Sequence, residues 1–383
     1  MNHRDFRKSS YFPELDGLRG LCVLLVITVH LYAHKEYWAW LSGSHGVSVF
    51  FVLSGFLITT LALREEERDG RISLNGFFLR RAFRLFPLYY ITLGVYVVYL
   101  LLLAQGNAEQ RETFSKALIW YSLYFQEIPF FHLLVIGQRD LPFFHVWSLG
   151  IEEKFYLVWP LLAFGSWRWR THQRLCWTLG VCLLLTIALP LALPFARQMV
   201  RYLISYQAIL AGCALAMLMH RSDTFERVKR WGCVWPWVVV HFLSAWSGDC
   251  LETLYAPSCC LALVAFLTRG SSLLSAGPFV QLGKLSYGVY LVHLLAMAAV
   301  YRLFPFGAWH PVTSVVAFFL VVGLSLAMAW PLHVIIEQPL IRLGRRLTTP
   351  APTLVPSGRI VVDRSIEAPV CCPENTYSLA SSK

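Results

Sequence analysis

Apolar runs long enough to cross a bilayer recur along this chain, separated by short linkers rich in arginine and lysine. Placing the basic linkers on the cytoplasmic side predicts an all-α, polytopic transmembrane helix bundle of about ten spans. The first span runs outward over about Leu15–Tyr37, and the second returns over Val47–Leu63 after a turn from Ser42 to Gly46. The most charged linker, Arg64–Arg84, precedes a third span over Leu85–Leu103. The segment Thr113–Ile136 is aromatic but broken by Gln126, Glu127, Pro129 and His132. A full crossing there would put the basic linker Trp167–Arg174 outside, so it reads as a re-entrant or outer-surface segment. Further spans are predicted over Phe144–Phe164, Cys176–Ala192, Tyr202–Met219, Cys233–Ala245, Leu251–Leu267, Ser286–Phe304 and Val312–Ile336. Both the N- and C-termini then lie in the cytoplasm.

Composition agrees with that pattern. Of 383 residues, 57% are hydrophobic and 14% charged, with a mean hydropathy of +0.54, which excludes an ordinary soluble domain. The net charge of +11 resides in the linkers, where the positive-inside rule expects it, so no nucleic-acid partner is implied. The lipid bilayer is the partner the composition requires. Ten cysteines lack both a disulfide-scaffold length and a zinc spacing, and read as small hydrophobes or free thiols. No small-residue cleavage site follows the first span, so it is expected to be a retained helix and not a signal peptide. Residues 1–346 are expected to form one membrane domain. The polar, Pro/Ser-rich stretch 347–383 is expected to be a disordered cytoplasmic tail, with no soluble catalytic domain at either end.

Several polar positions inside the apolar runs are candidates for chemistry. In the first span Arg19 and His30 are eleven positions apart, which puts both on one helix face about 16 Å apart along the axis. Ionisable groups within spans are functional by default, although Arg19 can also snorkel and His30 can simply bond a neighbouring helix. Ser54 and Gly55 sit in a small-residue stretch suited to close helix packing. Arg81 and Arg84, with Arg80 beside them, present neighbouring guanidinium groups that suit either lipid head groups or the phosphates of a nucleotide-bearing donor. The run from His145 to Tyr156 holds Trp147, Ser148, Glu152, Glu153 and Lys154 at the head of a span. Ser148 there can cap the helix, with Lys154 as partner to the carboxylates. Ser286, Tyr290 and His293 form a polar stripe at helical spacing, and Glu337 reads as a clasp to the basic edge of the bundle. His30 and His34 are four apart, but no third ligand is indicated and no metal site is expected.

These motifs together resemble the integral-membrane acyltransferase family 3, O-acyltransferases of surface polysaccharides, peptidoglycan, lipids and some antibiotics. The resemblance covers nearly all of Tyr11–Arg346. It rests on Leu15-Asp16-Gly17-Leu18-Arg19-Gly20 followed by His30, on Gly46 to Gly55, and on Arg81 with Arg84. Trp147-Ser148-Leu149 before Glu152, Phe155 and Tyr156, Ser286-Tyr287 with Tyr290 and His293, and Glu337 with Pro339 complete it. Lys154 departs from the pattern, because glutamine usually follows the paired glutamates, and this alters the local charge. The extracellular hydrolase-like domain that some members carry after the membrane part is not expected from this sequence.

The resemblance implies a mechanism and a setting. An acyl-CoA, with acetyl-CoA first in line, binds from the cytoplasm as co-substrate, its phosphates near Arg19, Arg81 and Arg84; no bound cofactor is implied. His30 acts as general base or as acyl carrier, with Glu152 or, less directly, Asp16 orienting it. Ser148, Tyr287 or Tyr290 supplies a hydrogen bond to the oxyanion, and Ser54, Trp147, Glu153, Ser286 and His293 complete the candidate site. The acceptor is a hydroxyl of a glycan, glycolipid or related molecule at the outer face of a bacterial inner (plasma) membrane. The rival class is a secondary transporter or channel in which His30, Glu152 and His293 form an intramembrane path.

Overall fold

A computed structural model describes residues 1–9, 11–31, 41, 43–102, 106–129, 132, 141–165, 170–192, 197–247, 251–304 and 311–348. Every regular element among them is a helix. Five helical stretches are long and apolar enough to cross a membrane: His45–Asp69, Leu74–Leu102, Tyr202–His220, Gly277–Leu303 and Val312–Thr348. A sixth apolar helix, Thr253–Arg269, is shorter. The protein is therefore a multi-pass membrane protein built from helices. The polar tail beyond Thr348, His34, and the outer part of the first predicted span lie outside the described residues.

In chain order the helices are α1 (His3–Lys8), α2 (Pro13–His30), α3 (His45–Asp69), α4 (Leu74–Val97), α5 (Ala108–Ser122), α6 (Trp147–Phe164) and α7 (Thr171–Ala192). They continue as α8 (Arg197–His220), α9 (Ser222–Trp231), α10 (Trp235–Ser247), α11 (Glu252–Arg269), α12 (Gly277–Leu303), α13 (Pro311–Leu332) and α14 (Gln338–Thr348). Local sequence explains several boundaries. Pro13 occupies the first turn of α2 with Glu14 and Asp16, where a missing N–H costs nothing and carboxylates complement the helix dipole. Gly70 ends α3 with φ of 72°, a left-handed conformation that suits glycine. Ser73 caps α4 by accepting the Gly76 N–H, and Asn107 with Gln110 forms a reciprocal capping box at the start of α5.

Helix approach at the centre of the bundle depends on missing side chains. A Cβ on Gly17 would collide with the Leu274 carbonyl and one on Gly283 with the Asp16 carbonyl, so the start of α2 lies directly against the segment opening α12. A Cβ on Gly55 would meet the Ile209 carbonyl, and one on Gly212 the Val52 carbonyl, so α3 and α8 cross backbone to backbone. A Cβ on Gly46 would likewise meet the Cys22 carbonyl, so α2 is held by α12 and by the start of α3.

The basic linkers gather at one end. Arg64 donates to the Ser9 and Phe6 carbonyls at 2.7 Å each, Arg174 binds Glu66 through both nitrogens, Arg80 pairs with Glu65, and His220 approaches Glu67 at 3.7 Å. At the opposite end α5 doubles back along α4. The Tyr89 and Tyr90 hydroxyls donate to the Tyr121 and Ser122 carbonyls, while Tyr96 and Phe114 face each other one level further out. The chain then turns at Tyr124, φ 63°, and returns to begin α6. The segment expected over Thr113–Ile136 thus starts earlier, at Ala108, because the Asn107 cap initiates the helix there.

Candidate active site

Two polar groupings lie at different depths of the bundle. The first is nearer the basic end. Ser54 Oγ donates to Glu152 Oε1 at 2.8 Å, and the Tyr156 hydroxyl reaches the other carboxylate oxygen at 3.5 Å. The guanidinium of Arg81 lies 4.7 Å from the centre of the Tyr156 ring and 5.7 Å from that of Phe77. Arg19 is close enough to interact electrostatically with Arg84, Asp16 and Glu152, and Arg81 with Arg84, Glu152 and Glu153. Three arginines therefore meet three acidic residues, and helices α2, α3, α4 and α6 each contribute. Trp147 packs edge-on against Phe51 of α3, 6.3 Å between rings.

The second grouping is a set of three imidazoles. His30 closes α2, and its Nδ1 lies 2.8 Å from the Val26 carbonyl and 3.2 Å from His293 Nε2. A carbonyl oxygen only accepts, so His30 Nδ1 carries hydrogen. His293 Nδ1 lies 2.7 Å from the Tyr290 carbonyl and carries hydrogen by the same argument, which makes its Nε2 an acceptor facing His30; the single Nδ1 hydrogen of His30 is shared between the nearer Val26 carbonyl and this nitrogen. The neutral His30 ring is left with a lone pair on Nε2. His145 stands 4.9 Å from the His293 ring, its Nε2 directed at the Leu291 carbonyl at 3.3 Å. Phe144 meets the His30 ring edge-on at 5.4 Å.

The structure redistributes several expected roles. Asp16 shares α2 with His30, fourteen residues away, or about 21 Å along a straight helix, so it cannot orient that ring. It stays with Arg19. Glu152 is held by Ser54 and Tyr156 beside the arginines, and the partners of His30 Nδ1 are Val26 and His293 instead. Glu153 lies with Arg81 as well. Ser148 does not cap α6, whose cap is Val146 without a side-chain bond; its hydroxyl bonds Tyr290 at 2.8 Å.

The expected oxyanion donors are also committed elsewhere. The Tyr290 hydroxyl donates to the His145 carbonyl, so Ser148 must donate to Tyr290, and the Tyr287 proton goes to the Leu85 carbonyl at 2.7 Å. Ser286 is buried without a hydrogen-bond partner among the described residues. Lys154 pairs with Glu127 at 2.6 Å and donates to the Tyr124 carbonyl, both in the stretch that follows α5. Glu337 bonds His333 Nδ1 at 2.7 Å, one turn back, in place of a basic residue. Sequence reading passed over His145 and Glu127 as actors. His145 stands two residues before Trp147, but the partner of Glu127 depends on how the stretch after α5 packs against α6.

Comparison with known proteins decides the family. The model of an acyltransferase domain, of acyltransferase family 3, matches residues 12–334. The chain belongs to this family. It is 27% identical over 348 residues to the peptidoglycan O-acetyltransferase OatA of Listeria monocytogenes, covering 82% of this chain and 54% of that protein. It is 29% identical over 319 residues to YrhL of Bacillus subtilis, whose name provisionally assigns the same activity, covering 74% and 48%. A provisionally named O-acetyltransferase of Staphylococcus aureus is 37% identical over 168 residues, 41% of this chain and 25% of its own length. The chain thus spans about half the length of the first two relatives. No solved structure matches it.

Proposed function

We propose that this family member is an integral-membrane O-acetyltransferase that moves the acetyl group of cytoplasmic acetyl-CoA to a glycan hydroxyl at the outer face. In this reading the membrane domain, residues 1–346, crosses about ten times, both termini and the tail 347–383 are cytoplasmic, and the host membrane is the plasma membrane. The observation that carries the reading is the pinning of His30 Nδ1 by Val26 and His293, which supports Nε2 as the reactive nitrogen. His30 stands on the same helix as Arg19, about 16 Å further along.

Arg19, Arg81 and Arg84 hold the donor phosphates, and Glu152, braced by Ser54 and Tyr156, keeps the guanidinium groups in place. The pantetheine arm carries the thioester towards His30. The acceptor hydroxyl oxygen attacks the acetyl carbonyl while its proton passes to His30 Nε2. The C–O bond forms, the C–S bond breaks, and the CoA thiolate recovers that proton. His293 accepts a hydrogen bond from Nδ1–H, which strengthens as the ring becomes cationic. A glycan acceptor is supported by the peptidoglycan named in the closer relatives.

The test uses protein in nanodiscs with acetyl-labelled acetyl-CoA and soluble glycan oligomers released from peptidoglycan. Wild type is expected to release CoA and label the oligomer, and His30→Ala to do neither while remaining inserted. Label retained on His30 without acceptor would route the acetyl group through the imidazole. Normal transfer by His30→Ala would remove His30 from the chemistry, and an absence of thioester cleavage by wild type would favour transport.

A further inference from the structure

A cavity of about 270 Å³ opens between the outer part of α4, the start of α5, the turn before α6 and the outer half of α12. It shares Phe144 with the imidazole grouping, so one ring separates the cavity from His30. Five aromatic rings, Tyr96, Tyr99, Phe143, Phe144 and Tyr301, line it beside an aliphatic wall that includes Leu294, Leu295 and Met297; the Tyr96 and Tyr301 hydroxyls are buried, so the Tyr99 phenol and the Gln110 amide are the polar side-chain groups left to it. Tyr99 is fifteen residues beyond Arg84 along α4 and its π-helical extension, about 22 Å at helical rise. The cavity therefore lies at the far end of the helix from the donor arginines.

A second cavity, about 250 Å³ between α6, α7 and α8, shows what a lipid-like lining looks like in this fold. It is walled by Val158, Leu162, Val181 and Leu185 with Phe155, Trp159 and Trp177, and Tyr206 carries its one hydroxyl. Both cavities carry aromatic rings, and the first differs by its Gln110 amide beside the Tyr99 phenol. Flat aromatic faces suit the axial C–H face of a sugar ring, and phenol and amide groups at the margin suit its hydroxyls. The volume falls just below the range of about 300–1,000 Å³ that holds drug-sized ligands, which suits one ring.

We propose that the cavity bounded by Tyr96, Tyr99, Tyr301 and Phe144 is the acceptor subsite, binding a single pyranose unit with one hydroxyl directed past Phe144 to His30. This rests on the acetyl-transfer reading and adds to it the location and size of the acceptor. Phe143 is fully buried and adopts φ of 65°, a costly conformation for an aromatic residue. Held there, it sits in the cavity wall while the next residue, Phe144, turns to His30.

Ala298 lines the cavity from an exposed position on α12, so Ala298→Trp fills it without disturbing packed neighbours; Tyr99→Ala, half-buried, removes one face. Steady-state kinetics with acetyl-CoA and soluble peptidoglycan oligomers are expected to show the acceptor KM raised at least tenfold in both variants, with the acetyl-CoA KM within threefold of wild type. An unchanged acceptor KM in both, or equal rises in both KM values, would overturn the subsite. Transfer lost only when the acceptor is presented on a polyprenyl carrier would also overturn it, in favour of a lipid chain. Wild-type protein that cleaves no thioester would instead defeat the acetyl-transfer reading beneath it.

Discussion

His293 Nε2 faces His30 Nδ1 at 3.2 Å, and the hydrogen bond of each Nδ1 to a backbone carbonyl fixes which of the two rings donates. The Val26 carbonyl thus sets His30 Nε2 as the hydroxyl-proton acceptor, and His293, on another helix, holds the same edge of the ring. His293→Ala is expected to lower kcat about 10- to 100-fold, a fraction of the 10²- to 10⁴-fold that general acid–base catalysis supplies, with the donor KM unchanged. His293→Asn, whose side-chain oxygen can accept the same bond, should recover part of the loss. Equal losses in both variants would reduce His293 to packing; a pH–rate profile moved only in the alanine variant would support positioning.

The Arg81 guanidinium stands over the ring of Tyr156, the residue that also reaches Glu152. Arg81→Ala is expected to raise the KM for acetyl-CoA at least tenfold. Arg81→Lys should recover little, because an ammonium keeps the charge but loses the stacked plane and the forked donors. Measured donor KM values decide this, and full recovery by lysine would mean that charge alone matters.

The one departure from the family pattern in the glutamate run has a structural partner. Lys154 pairs with Glu127, whose side chain is 4% exposed, while that of Lys154 is 28% exposed. Lys154→Gln is expected to destabilise by about 3 kcal/mol, the low end of the about 3–5 kcal/mol seen when one member of a buried pair is removed. The double variant Glu127→Gln with Lys154→Gln should return to within about 1 kcal/mol of wild type, because no charge is stranded. Denaturation of the four proteins of this cycle in one detergent checks it, and additive losses would show that the two side chains act independently.

What the sequence discloses here divides along physical lines. Arg19 and His30 share a helix, so their spacing and common face follow from helical rise alone, and the basic linkers gather at one end as charge asymmetry predicts. Contacts between helices are different. Glu152 and His293 are both polar residues within spans, and periodicity gives each a face but no partner; only the crossing geometry assigns Glu152 to Ser54 and His293 to His30. Ser148 looked like a cap because it precedes two carboxylates, yet α6 begins two residues earlier and leaves its hydroxyl to Tyr290. The pairing of Tyr89 with Tyr121, by which α5 runs back along α4, has no trace in either segment read alone.

The α3–α8 crossing links packing to the donor site and carries the last prediction. Gly55 and Gly212 each face a backbone carbonyl of the other helix, Ile209 and Val52, so an added side chain has no flexible neighbour to displace. The helices must separate, and overpacking of this kind costs about 1–3 kcal/mol or more. Ser54 adjoins Gly55 and holds Glu152 at 2.8 Å, a bond that a shift of under 1 Å would break. Gly212→Ala is therefore expected to retain an inserted, monodisperse protein with the donor KM raised severalfold. Gly212→Val should lose thermal stability outright. Size-exclusion profiles, unfolding temperatures and donor kinetics on both variants check the pair. A Gly212→Val protein with wild-type stability would show that α3 and α8 are not held in this contact, and an unchanged donor KM in Gly212→Ala would separate the crossing from the site.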